Sequence, residues 1–249
     1  MIAVGLLALA RPAQADFVQT YNTGFQNGGV IPDGSLTGWS DTRNLVGAPA
    51  GIKDVSVTLN LSGGWNGDLY AYLVHSSGFA VLLNRVGSTA GNDAGYGASV
   101  MNVTLNDAAV LNIHNVGAPG AGPYQPDGRN ISPLSSGSVF DGTTPTALLS
   151  SFYGLNANGN WTLFVADVSG GDVSTVTSWG LDIAAVPEPG SLIEGAVAVL
   201  FLGGVVGLYR LKGAKAQPRP AMGIVSHWPA LSAHVSAWQR AVNQWLDAV

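Results

Sequence analysis

Ile52-Lys53-Asp54-Val55-Ser56-Val57-Thr58-Leu59-Asn60-Leu61-Ser62 decides how this chain folds. Val55, Val57, Leu59 and Leu61 alternate with Ser56, Thr58, Asn60 and Ser62. That is a period of two, so one face meets a core and the other meets water. Gly63-Gly64-Trp65-Asn66-Gly67-Asp68 then turns the chain, and Asn-Gly is a strong hairpin signal. Leu69, Ala71 and Leu73 form one face of a second strand, with Tyr70, Tyr72 and Val74 on the other. Ser76-Ser77-Gly78 is the next turn, and residues 79–86 read as a third strand. Residues 87–97 form a polar loop carrying Asp93, and Val100, Val103 and Leu105 mark a further short strand.

The same pattern extends outward in both directions. Residues 17–44 are rich in Gly, Asn and Thr, with short strands expected at 17–21 and 36–39 and a turn at Ile31-Pro32-Asp33-Gly34. Residues 108–145 are rich in Gly, Pro and Ser. A stretch of that length is either functional or partly disordered. Residues 160–168 and 174–183 are again strands, with Trp161, Leu163 and Val165, then Trp179, Leu181 and Ile183, on apolar faces. Trp161 and Trp179 therefore belong to the core. Short alternating strands, frequent turns and no helical period before Glu194 predict an all-β antiparallel sandwich.

Composition narrows the chemistry. The 249 residues contain no cysteine, which excludes disulfides, zinc–thiolate sites and cysteine nucleophiles. The fold must rest on its core. Residues 16–185 hold twelve Asp, no Glu and four basic side chains (Arg43, Lys53, Arg85, Arg129), a net charge of −8. Asp without Glu suits a loop-rich β-domain. The charge argues against nucleic acid or an anionic membrane as partner and leaves calcium open.

The two ends read as targeting signals. Residues 2–10 are apolar, and Ala13-Gln14-Ala15 precedes Asp16, so 1–15 reads as a secretion signal cut between Ala15 and Asp16. A basic leader is missing and Arg11 lies beyond the apolar run, which points to a start further upstream. A short N-terminal anchor is the other reading. Residues 195–209 carry no charge, and extension back to Ser191 gives nineteen residues that include Glu194. About 20 residues cross the hydrocarbon, so a transmembrane helix is expected over 192–209, with Glu194 at its end reaching the headgroups. Arg210, Lys212 and Lys215 follow and hold the C-terminal side in the cytoplasm. In the tail, 216–249, Leu231, Val235, Trp238, Val242, Trp245 and Val249 recur at spacings of four and three. An amphipathic helix over 230–249, on the inner membrane surface or against a partner helix, fits that stripe. A frameshifted extension is the competing reading.

No catalytic site emerges. A serine triad needs a nucleophile, a His base and an orienting carboxylate. His75 ends a strand at a turn and reads as a surface imidazole. His114 sits in the long loop, and His227 and His234 lie beyond the membrane segment. Hydrolysis by Ser99 and His75 is the minority hypothesis. Asp68, Asp93 and Asp107, with Asp33 and Asp54 near in sequence, are the candidate calcium ligands, although no EF-hand spacing exists. Ordinary turns and caps explain the same residues. Trp65, on a turn, is the exposed candidate for a ligand surface.

Two resemblances add to this reading. The strand 55–61, then Trp65-Asn66-Gly67-Asp68-Leu69 and Ser76-Ser77-Gly78, resembles the P domain (homo B domain) of subtilisin-like proprotein convertases. Asn158-Gly159-Asn160-Trp161-Thr162-Leu163 and Trp179-Gly180-Leu181-Asp182-Ile183 are similar to its closing strands. The resemblance covers roughly 30–183. It implies a jelly-roll sandwich whose usual role is to stabilise and flank a subtilisin-type protease, and it puts Asp68, Asp93 and Asp107 at family-like positions. Ser77 replaces the usual proline, and 108–145 carries an insertion. Gly97-Ala98-Ser99-Val100-Met101 only faintly echoes the nucleophile motif of subtilases.

Val186-Pro187-Glu188-Pro189, the apolar run and the basic cluster together resemble the PEP-CTERM sorting signal of Gram-negative bacteria, over 186–215. This implies cutting near Pro187, Glu188 and Pro189 by an exosortase, a membrane cysteine transpeptidase. The 34 residues beyond Lys215 depart from that pattern. The combined expectation is an exported, non-catalytic surface or extracellular-matrix protein. It would be anchored in the inner membrane as a precursor, then moved to the envelope or an exopolysaccharide layer. The alternative is an accessory domain acting in trans on a subtilisin-like serine endopeptidase.

Overall fold

A computed structural model describes residues 16–186. Eight strands make up most of its regular structure: β1 (Asp16–Tyr21), β2 (Ser35–Leu45), β3 (Ile52–Ser62), β4 (Leu69–His75), β5 (Gly78–Asn84), β6 (Val100–Leu105), β7 (Gly159–Asp167) and β8 (Thr175–Ala185). They form two four-stranded antiparallel sheets, ordered β1-β8-β3-β6 and β2-β7-β4-β5. The pairing is nested: first strand with last, second with seventh, third with sixth, fourth with fifth.

The alternation read in β3 is what builds the core. Val55, Val57, Leu59 and Leu61 are at most 1% exposed. Trp179, Leu181 and Ile183 extend this layer along β8. Leu69, Ala71 and Leu73 of β4 and Trp161, Leu163 and Val165 of β7 supply the facing layer, and all join one buried cluster. Burying a side chain of this size stabilises by about 1.5–3 kcal/mol. Both tryptophans expected in the core are there.

Four expectations need correction. First, β3 and β4 are not a hairpin. They lie in opposite sheets, and Asn66–Asp68 forms a 3-10 turn that carries the chain across. Each strand has its own apolar face, and the two faces bury each other only across the layers. The true hairpin is β4–β5, with Ser76 at φ +52° in its turn.

Second, β2 runs six residues past the expected end. Asp41 and Arg43 interrupt its apolar period, yet both are held. Asp41 Oδ2 accepts from Trp179 Nε1 at 2.7 Å and from Arg43 Nε at 2.7 Å, and the guanidinium lies over Tyr21 and Phe25. Near its start β2 bulges at Gly38, at φ +58°, where a Cβ would collide with the Phe164 ring.

Third, 108–145 is folded onto the sheets. Single bridges join Leu105 to Tyr124 and Asn112 to Gln125, and a six-residue helix, α1 (Gly137–Gly142), stands where no helix was expected. The buried hydrogen bond between His114 Nδ1 and Asp127 Oδ2, at 2.6 Å, helps fasten the segment. Arg129 reaches the other Asp127 oxygen at 3.2 Å.

Fourth, His75 is a core residue, 2% exposed and stacked on Trp161 with ring centroids 4.1 Å apart. It continues the inward period Leu69, Ala71, Leu73.

Among the described residues no helix is long and apolar enough to cross a membrane. The expected signal 1–15 with Ala15, the Pro187-Glu188-Pro189 motif, the membrane helix 192–209 and the amphipathic helix 230–249 all lie outside the described residues. Asp16, the first residue after the expected cut, opens β1.

Candidate functional site

Three connections meet at one end of the two sheets, because both β3–β4 and β7–β8 must change layer there. The Ile31 N–H donates to Ser174 O at 2.9 Å, and the Val168 N–H to Asp68 O at 2.9 Å. The Gly171 N–H lies 3.1 and 3.2 Å from the two Asp33 carboxylate oxygens. Gly64, at φ +71°, makes the close packing possible, since a Cβ there would overlap Ser174 Oγ.

Asp167 sits at the centre of this end. It is the last residue of β7, continues the inward period Trp161, Leu163, Val165, and is 0% exposed. Its Oδ1 accepts from the Ser169 N–H at 3.3 Å, and the carboxylate faces the Ser174 hydroxyl. Burial raises its carboxyl to about 6. The Ser169 N–H opposes the rise, Asp68 and Asp33 add to it, and the adjacent Ser174 hydroxyl lowers it again. Asp68 is also raised, first by burial; Arg85 counters this, and Asp172 and Asp33 reinforce it. Asn66 Oδ1 is buried without a partner. This end thus crowds negative charge around a buried carboxylate that faces the Ser174 hydroxyl.

The sequence-predicted residues are distributed unevenly around this end. Asp68 belongs to it, and Asp33 borders it. Asp93 Oδ1 instead accepts from the Gly137 N–H at 2.6 Å. Asp107 caps the turn Leu149–Phe152, taking the N–H groups of Leu149 at 3.1 Å and Ser150 at 2.7 Å. Asp54 accepts from the Tyr153 hydroxyl at 2.6 Å; burial first, then that bond, push the phenol well above its ordinary range. Among the described residues, no group of three or more His, Cys, Asp or Glu is placed to hold a metal ion.

Trp65 stands on the same crossing loop and is 39% exposed, with its indole N–H donating to Ala94 O at 3.2 Å and its ring against Gly97. The other described tryptophans, Trp39, Trp161 and Trp179, are buried. His75 does not meet Ser99. Its Nδ1 lies 2.9 Å from Asn160 O and its Nε2 2.7 Å from Asn156 O, both backbone oxygens. His114 Nε2 lies 3.1 Å from Ser88 O.

Sequence reading missed Asp167 and Ser174. The available signal was a polar residue occupying the next inward position of an apolar period. It also missed an aromatic row on the outward face of the second sheet, where Tyr72 stacks on Phe164 at 4.7 Å and neighbours Tyr70 and Phe79.

No family model matches the chain, and no curated protein matches it. Among solved structures, it is similar to a serine protease of Aeromonas sobria in complex with the chaperone: 16% identity, TM-score 0.42, over 71% of this chain and 28% of that one. The serine protease of Aeromonas sobria in a second structure gives 18% identity and TM-score 0.35, over 70% and 27%. The chain spans under a third of the length of these proteins.

Proposed function

We propose that this chain is a non-catalytic exported binding or structural module of the cell surface or extracellular matrix. In this reading a jelly-roll domain of the P-domain kind is delivered by the PEP-CTERM-type signal over 186–215. The observation that carries the non-catalytic part is the state of the two described histidines. Each is buried with both ring nitrogens at hydrogen-bond distance from oxygens of the frame. An imidazole so engaged holds loops together and has no free nitrogen with which to move a proton. The nested pairing of eight strands in two sheets supports the jelly-roll reading. The partly exposed Trp65 supports a ligand surface, since an indole beside hydrogen-bonding loops suits a sugar ring.

The test is retention of the full chain on an exopolysaccharide matrix, compared with its Trp65→Ala variant. Retention that falls about tenfold in the variant supports the reading. Absence of retention, together with a raised thermal midpoint of an added subtilisin-like protease, would replace it with the accessory role.

A further inference from the structure

We infer that His75 is held as a buried imidazolium cation and closes a pH-sensitive clasp at the end of the domain where Val186 is bound. The clasp is independent of what the domain binds elsewhere.

His75 is 2% exposed, and both of its ring nitrogens face oxygen. Nδ1 lies 2.9 Å from Asn160 O, and Nε2 lies 2.7 Å from Asn156 O. Both partners are backbone carbonyls, which accept and never donate. A neutral imidazole carries one N–H. One nitrogen lone pair would then point at a buried carbonyl oxygen at hydrogen-bond length, with no hydrogen between them. Turning the ring over would set carbons against both oxygens. The doubly protonated ring donates to both.

The surroundings suit a cation. Burial alone opposes charge. Against it stand two carbonyl oxygens at distances typical of charged donors, and the face of Trp161, whose ring lies 4.1 Å away with planes 2° apart. Among the described residues, no titratable side chain on the neighbouring elements is bonded to His75. Tyr70 and Tyr72 lie on the opposite face of β4, and Asp167 stands at the far end of β7, opposite Leu69. The Tyr153 hydroxyl donates to Asp54, Asp41 is bonded to Arg43, and β5 carries no titratable side chain.

What the ring holds is a chain of backbone contacts. Asn156 belongs to the turn 154–158, which grips the loop 48–52. The Ala157 N–H donates to Pro49 O at 3.0 Å, the Ile52 N–H to Leu155 O at 2.9 Å, and the Gly154 N–H to Ile52 O at 2.7 Å. The Asn158 side chain accepts from the Ala48 N–H at 2.9 Å and donates to Ala48 O at 2.6 Å. Gly51 O in turn accepts from the Val186 N–H at 2.9 Å, and Val186 directly precedes Pro187-Glu188-Pro189. Loss of one ring proton breaks a link to residue 156 or 160 and sets two lone pairs against each other, so this end loosens first. In an unfolded chain a histidine releases that proton at about pH 6.5. The folded chain retains it above that pH. The clasp is therefore at full strength below about pH 6.5 and weakens as pH rises.

The experiment uses the full chain. Nitrogen-15 NMR of the imidazoles at about pH 7.5, where a free histidine is mostly neutral, reads the protonation state. His75→Gln, which can donate but cannot titrate, identifies the His75 signals. Amide hydrogen exchange, corrected for the intrinsic rate at each pH, reads the clasp. The expected result is two protonated nitrogens on His75. The protection of the Ile52, Gly154, Ala157 and Val186 amides should fall about tenfold between about pH 6.5 and about pH 8. That fall should be absent in His75→Gln. His114, bonded to Asp127 and Ser88, is reported separately by the amides of its own segment. If His75→Gln fails to fold, the wild-type spectrum still decides, with His75 identified by its contact with Trp161. A His75 ring with a single protonated nitrogen at that pH, or an equal fall in protection in His75→Gln, overturns the clasp.

Discussion

His75 shows how one side chain ties distant parts of the chain together. It stacks face to face on Trp161 with planes 2° apart, and its nitrogens meet the backbone oxygens of Asn156 and Asn160. His75→Ala removes the stack and the ring's link to the backbone of Asn156 and Asn160. We expect a loss of about 3 kcal/mol in urea denaturation. His75→Phe, which keeps a ring, should lose less. Gly38 is the second sensitive position. At φ +58° and with the Phe164 ring where a Cβ would be, Gly38→Ala should lower stability by about 1–3 kcal/mol and shift near-UV aromatic signals. His75 was legible in principle, since it continues the period of Leu69, Ala71 and Leu73. The turn that follows it outweighed that period in the sequence reading.

At the scale of elements, the strands with unbroken alternation were read to the residue: β3 and β4 have the expected limits. The second half of β2 was not, because Asp41 and Arg43 break its pattern. Asp41 is held by Trp179, 138 residues away in sequence, and Arg43 by Asp41, Tyr21 and Phe25. Asn66-Gly67 was read correctly as a turn and wrongly as a hairpin. Local propensity sets the reversal of the chain, but which sheet the next strand joins is decided by burial across the layers. The segment 108–145 was the least legible, since it is held by isolated bridges and buried side-chain groups with no periodic pattern. Asp127 is 0% exposed, holds His114 and Arg129, and has no sequence neighbour that announces the pair. Asp127→Ala should cost about 3–5 kcal/mol. Limited proteolysis should then cut first within 108–145, while the wild type resists there. Asp107→Ala, which leaves the Leu149 and Ser150 N–H groups unpartnered, should cost about 1–3 kcal/mol in the same denaturation assay.

At the scale of the molecule, the proposed function joins an acidic β-domain to two expected targeting segments, 1–15 and 186–215. The charge of −8 over 16–185 suits the proposed export, and without cysteine the domain folds with no disulfide links. The fold class was legible because alternation is a local signal repeated in strand after strand. The Asp167 end was not, because its members come from three loops far apart in sequence. The most direct test of the central claim is the intact mass of the protein recovered from the surface and medium of a Gram-negative host that sorts PEP-CTERM proteins. The account predicts a species beginning at Asp16 and ending near Pro187–Pro189. It also predicts that replacing Pro187, Glu188 and Pro189 with alanine keeps the chain in the inner membrane. A full-length chain at the surface, or a cytoplasmic one with both ends intact, would contradict it.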